Sequence, residues 1–299
     1  MKQCNLVILF ALLSCFFAST PTFADAGDED NGLEDSITFH VYDDVDLVST
    51  LKFQYGKPRV IIKSVYPQLM SETDHDGVTH FNDLASQIVQ DEVTTFRNHV
   101  KDNQSIQQKI PKDKITNNLY LDYDTSYVKS KRNHIISIRF SIQGYIGGMT
   151  HPYHNHRVLN YNLDTSQKIE LNDLFLPNSN YLDVLSHYTH NVLSKRLQEQ
   201  QQIANGTAAK PENFENWNIK PNGLLITFDE YSVAPAIYGA QTVLVPYAAL
   251  QEVLSPESLI ADCIQHQLRC SSNNLLTGGF IDEAVNTPHR SLNPILRKS

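Results

Sequence analysis

The sequence predicts an α+β fold, with antiparallel sheets, packed helices and two small α/β subdomains. Three observations lead there. Ile136, Ile138, Phe140 and Ile142 alternate with Ser137, Arg139, Ser141 and Gln143, the period of two that marks a half-buried strand with its polar side outward. Phe81, Leu84, Ile88, Phe96 and Val100 return at roughly helical spacing. Strand signals are joined by hairpin turns, such as Pro221-Asn222-Gly223 between Trp217–Ile219 and Leu224–Phe228, rather than by regular βαβ units.

From the N-terminus, Lys2, the apolar core Leu6–Leu13 and the small residues of Ala24-Asp25-Ala26 predict a cleavable secretion signal over residues 1–26. Its apolar run is shorter than the roughly 20 residues that span a bilayer, and nothing later repeats it. Residues 27–34 read as an acidic, disordered leader. Strands are expected over Ser36–Tyr42 and Arg59–Val65, then a helix capped by Thr79 and starting near His80 or Phe81. Polar Asp102–Lys114 reads as a connection. Strands follow over Leu119–Val128 and His134–Tyr145, and Gly144, Gly147 and Gly148 allow a tight reversal. Arg157–Leu163 and Lys168–Leu171 form an expected hairpin, and a helix runs from Asn180 or Tyr181 to about Ala204. After a polar linker over Asn205–Asn213 come the Trp217 hairpin, a strand over Gln241–Val245, and a short helix over Tyr247–Leu254 that Ser255-Pro256 stops. The expected domains are 35–143 and 144–256, with a C-terminal extension over 257–299.

The formal charge is −9, and Lys129-Ser130-Lys131-Arg132 is the one basic cluster. That balance speaks against a nucleic-acid or anionic-membrane partner. Cys4 and Cys15 would leave with the signal, so Cys263 and Cys270 are expected to pair as a disulfide in an oxidising compartment.

Chemistry concentrates in His151-Pro152-Tyr153-His154-Asn155-His156. Three imidazoles this close offer ligands for Zn²⁺ or Cu²⁺, with Asp173 or Glu230 as a base beside bound water. His154 and His156 would project to one side of an extended segment, with His151 arriving from a turn. No H-E-x-x-H signature accompanies them, and a polar loop with locally satisfied histidines is the preferred reading. His187 and His190 share a helix face that reads as solvated. Asp229-Glu230 would point opposite ways on a strand, which disfavours a glycosidase pair. No G-x-S-x-G elbow, phosphate loop or nucleotide fingerprint occurs. No catalytic residue is therefore predicted, no cofactor is expected (zinc being the alternative), and binding is preferred to catalysis.

The runs GYIGGMTHPYHNHRVLNYNLDTSQKIELNDLF at 144–175 and GLLITFDEYSVAPAIYGAQTVLVPYAAL at 223–250 resemble the C-terminal extracytoplasmic domain of RsiV-like anti-sigma factors, which also accompanies PdaC-type deacetylases. VYPQL at 65–69 and the elements to about 143 resemble the small α/β domain ahead of it, an architecture of DUF4163 plus DUF3298. The resemblance implies a compact extracytoplasmic module that binds lysozyme or sits beside a catalytic domain acting on peptidoglycan. The sequence shows neither a sigma-binding segment with an internal membrane span nor a deacetylase domain, and Met149 and Thr150 both intervene between the glycine pair and His151.

The resulting expectation is a secreted or periplasmic binding protein of the cell envelope, with lysozyme or a peptidoglycan-related ligand as partner and no stable transmembrane segment after processing. A metal-assisted hydrolase of cell-wall polysaccharide and a structural envelope protein are the alternatives. Tyr145, His151, Tyr153, Glu230, Tyr231 and Tyr238 are the expected ligand-binding residues, because the segment after the glycines and the EYSVAPAIYG loop are expected to approach one another. His151, His154 and His156 are the alternative metal ligands.

Overall fold

A computed structural model describes residues 38–42, 44–57, 59–73, 76–129, 133–261, 263 and 271–272. The strands Phe39–Tyr42 (β1), Val45–Gly56 (β2) and Val60–Ser71 (β3) form an antiparallel meander. The chain then crosses in a long helix, Asp76–Asp102 (α1), and a single turn, Gln104–Gln107 (α2), to reach Asn117–Lys129 (β4), which runs parallel to β3. His134–Tyr145 (β5), Tyr153–Asn162 (β6) and Gln167–Lys168 (β7) continue the same sheet antiparallel and in chain order, while Ser271–Ser272 pairs with the end of β4.

The second layer begins with Tyr181–Arg196 (α3) and Gln200–Gly206 (α4). A three-stranded antiparallel sheet follows, made of Trp217–Lys220 (β8), Gly223–Phe228 (β9) and Gln241–Pro246 (β10), and one helical turn, Tyr247–Leu250 (α5), ends it.

Each layer has its own apolar core. In α1, Phe81, Ala85, Val89, Val93, Phe96 and Val100 form the buried stripe, the spacing that turns one helix face toward a sheet. They pack on the Ile136, Ile138, Phe140, Leu159 and Tyr161 face of the large sheet. The second core joins Leu185 and Leu193 of α3 to Trp217, Ile226 and Val243 of the small sheet.

The small sheet covers the other face of β4–β6, and this changes the meaning of the alternation in β5. Its polar side is not turned to water: Ser137 and Arg139 are buried. Arg139 donates from Nη2 to Asp124 at 2.8 Å and from Nη1 to Thr227 Oγ1 at 3.2 Å. Asn160 Nδ2 donates to the Trp217 carbonyl at 2.9 Å, and Asn218 Nδ2 to Ser137 Oγ at 2.9 Å and the Ile138 carbonyl at 3.0 Å. Buried polar groups need such partners, so the two layers meet through directed hydrogen bonds as well as apolar contact.

Other expectations shift with physical cause. β2 is an additional strand, legible only once β3 provides its partner along its whole length. α1 begins at Asp76, a carboxylate suited to a helix N-terminus, rather than at His80. The expected helix to Ala204 breaks at Leu197, whose backbone is extended. β3, α1 and β4 make one βαβ crossover where only hairpins were expected. The domain boundary expected at 143/144 falls within β5, and β6 beyond it pairs with β5 in one sheet.

Cys263, one half of the expected Cys263–Cys270 pair, is buried and disulfide-bonded. Cys270, the signal segment 1–26, the leader 27–34 and most of the extension lie outside the described residues.

Candidate functional site

β6 begins at Tyr153, so His154 and His156 sit on a paired strand rather than in a loop. Alternation sends their side chains toward the small sheet, as it does Asn160. They meet the turn that leaves β9. Asp229 Oδ1 accepts from His156 Nδ1 at 2.6 Å, and Asp229 Oδ2 accepts from Asn216 Nδ2 at 3.2 Å. Glu230 Oε1 stands 2.9 Å from His154 Nδ1, a contact whose angle falls outside hydrogen-bonding geometry. β9 ends at Phe228, so the opposition of neighbouring strand residues no longer applies, and both carboxylates face β6. The two carboxylates hold this turn against the imidazoles.

The rest of the loop is held from behind. Tyr231 adopts a left-handed backbone, φ 66°, a strained conformation for an aromatic residue, and its carbonyl accepts from Gln202 Nε2 at 2.6 Å. Gly206 of α4 lies against the Ser232 carbonyl, leaving no room for a Cβ. Val233 and Ala234 are buried in the second core. A 3₁₀ turn over Ala236–Tyr238 then carries the chain to Gly239, and Gln241 Nε2 donates back to the Tyr238 carbonyl at 2.7 Å. Pinned at both ends, the loop displays Tyr231 (55% exposed), Ile237 (90%) and Tyr238 (44%).

The structure divides the expected ligand-binding residues. Glu230, Tyr231 and Tyr238 share the loop, and Tyr145, half-buried at the end of β5, lies on the sheet face that His154 occupies. Tyr153 does not join them. It projects from the opposite face, where its ring fills the space a Cβ on its cross-strand partner Gly144 would need, an aromatic compensating a strand glycine. Burial there, with Glu92 of α1 nearby, pushes its hydroxyl up to about 12.

His151 is exposed in the bend ahead of β6. Among the described residues no group of three or more His, Cys, Asp or Glu is placed to hold a metal ion. The alternative metal ligands are divided: His151 lies in the bend, while His154 and His156 lie on the paired strand and each faces a carboxylate. His187 lies on α3, and His190 Nδ1 is 3.4 Å from Thr207 Oγ1.

Two features escaped the sequence reading. On the sheet face shared with His156, Asp122 of β4 is raised above the ordinary carboxylate pKa of 3.8, chiefly by burial, with Asp124 adding to the rise and the Tyr123 N–H and Lys63 opposing it. Beyond Asn216, a cleft of about 450 Å³ lies between β6 and the chain entering β8, lined by Arg157, Asn160, Lys168, Tyr181, Phe214 and Trp217. Arg157 and Lys168 there are each matched by a carboxylate, Glu92 at 2.9 Å and Glu170 at 2.8 Å. Both features depend on which strands become neighbours.

Residues 172–248 match the family model described as "Protein of unknown function (DUF3298)", a span that includes the whole clamped loop but not β6. The chain is 27% identical over 144 residues to the peptidoglycan-N-acetylmuramic acid deacetylase PdaC of Bacillus subtilis, covering 47% of this chain and 30% of that protein. It is 29% identical over 103 residues to the esterase Rv3036c of Mycobacterium tuberculosis, covering 34% of this chain and 45% of that protein. The chain thus spans less than half the length of these two curated relatives. A solved DUF3298-family structure from Bacteroides fragilis superposes with a TM-score of 0.50 at 14% identity, covering 74% of this chain and 97% of that one. At that identity the likeness concerns the fold alone.

Proposed function

We propose that this protein is an exported binding module of the cell envelope, that the 229–240 loop is its recognition surface, and that its ligand is lysozyme. The observation that carries this reading is the loop itself. A segment pinned by Asp229, Gln202, Val233 and Ala234 holds Tyr231, Ile237 and Tyr238 out in water. Exposed apolar side chains on a fixed backbone lose little entropy on docking, and aromatic anchors of this kind dominate binding energy at interfaces. An isoleucine that protrudes this far suits a pocket on a protein better than the hydroxyl-rich face of a glycan.

The net charge of −9 complements a basic partner and would raise the encounter rate at low salt. The resemblance to the lysozyme-binding RsiV-like domain points the same way, and the signal-like segment 1–26 supports export. Among the described residues no helix is long and apolar enough to cross a membrane. The likeness to PdaC, named for action on peptidoglycan N-acetylmuramic acid, supports a cell-wall setting.

The test is calorimetric titration of the purified protein with lysozyme, and separately with soluble peptidoglycan fragments, at low and high salt. Saturable one-to-one binding of lysozyme that persists in salt is expected. Heat that vanishes on screening overturns the lysozyme assignment, and saturable binding of the fragments alone moves the ligand to peptidoglycan.

A further inference from the structure

A row of polar side chains behind the loop has a chemistry of its own. Antiparallel register sets Asp122 of β4 opposite Ser141 of β5, and Ser141 opposite His156 of β6. Directly paired residues project from one face with Cβ atoms about 4.5–5.5 Å apart. The face is the one on which His156 meets Asp229. That bond occupies His156 Nδ1 and leaves Nε2 for another partner, while Asn216 fixes the second oxygen of the carboxylate. Ser141 is half-buried.

We infer that Ser141, His156 and Asp229 form a hydrolytic site for short-chain carboxylic esters. Ser141 Oγ attacks the ester carbonyl carbon and its proton passes to His156 Nε2. The bond to the alcohol oxygen then breaks, and the alcohol leaves with that proton. Water, giving a proton to the same nitrogen, attacks the acyl-serine; the acid departs and Ser141 recovers its hydrogen. Asp229 is a positioning residue that holds the imidazole tautomer. The nucleophile sits on a flat strand instead of a G-x-S-x-G elbow, and such constellations are recognised by geometry rather than by motif. Asp122, Asp229 and Glu230 surround the row with acidic groups, so neutral or cationic esters fit and carboxylate-bearing ones are repelled. This site does not depend on the loop's ligand.

The experiment combines a fluorophosphonate probe, read by peptide mass spectrometry, with hydrolysis of p-nitrophenyl acetate and of p-nitrophenyl hemisuccinate. Wild type should be labelled at Ser141 and should prefer the acetate. Ser141→Ala, purified in parallel with an unchanged circular dichroism spectrum, should lose at least about a hundredfold in kcat/KM. Asp229→Asn should lower kcat with KM little changed. Absence of label at Ser141, label on a different serine, or Ser141→Ala hydrolysing as fast as wild type overturns the proposal.

Discussion

Replacing Asp229 with Ala removes the acceptor of two side chains at once, and the structure sets the size of the effect. His156 and Asp229 side chains are 13% and 20% exposed, so water replaces the lost partner only in part. A hydrogen bond to a charged group contributes about 1.5–3 kcal/mol and a neutral one about 0.5–1.5 kcal/mol. Discounted for the remaining solvent, Asp229→Ala should destabilise by about 2–3 kcal/mol, and His156→Ala, which spares the Asn216 bond, by about 1.5–2 kcal/mol. A double-mutant cycle between them should show about 1–2 kcal/mol of coupling. His154, 36% exposed beside Glu230, supplies the internal control, and His154→Ala should cost below about 1 kcal/mol. Urea unfolding at neutral pH with unchanged m-values measures all four variants. Coupling near zero, or a larger cost at His154 than at His156, would refute the view that the Asp229 clamp anchors the loop.

Arg139→Met leaves the Asp124 carboxylate without its cation between the layers and should cost about 2–4 kcal/mol; adding Asp124→Asn should restore part of this, and no recovery in the double variant would mean that Arg139 acts by packing alone. Asp122 titrates higher in the folded state than its ordinary 3.8, so folding holds its proton more tightly than the unfolded chain does. Its stabilising share is fully present below pH 3.8 and is lost as pH rises through the raised value. Asp122→Asn keeps an acceptor for the Tyr123 N–H, found at 2.8 Å, and should raise the thermal midpoint at neutral pH, with the gain vanishing below about pH 3.8. A gain of equal size at both pH values contradicts the assignment to burial.

The parts legible in the sequence are those with strong local periodicity. β5 is bounded as its alternation requires, and the small hairpin lies where Pro221-Asn222-Gly223 places it. The expectation that the segment after the glycines approaches the 229–240 loop rested on both being turn-rich; the contacts instead run from His154 and His156 on strand β6 to Glu230 and Asp229. β6 began four residues earlier than expected, since Pro, His and Asn carry little strand propensity of their own and the pairing with β5 overrides them. Periodicity likewise separates the two sides of β5 without saying which one meets water; a second sheet decided that for Ser137 and Arg139. The row from Asp122 to His156 needs the register of three strands, information that no single segment holds.

The most direct test of the recognition surface is titration of lysozyme into Ile237→Asp and Tyr231→Ala beside wild type, at high salt, with melting curves for each. Ile237 is 90% exposed and makes no contribution to the core, so Ile237→Asp should fold as wild type does. Placing an unpaired charge at a desolvated contact should weaken binding at least about tenfold, with Tyr231→Ala following in the same direction. Wild-type affinity in both variants, with unchanged melting, would contradict the account and remove the 229–240 loop from the binding site.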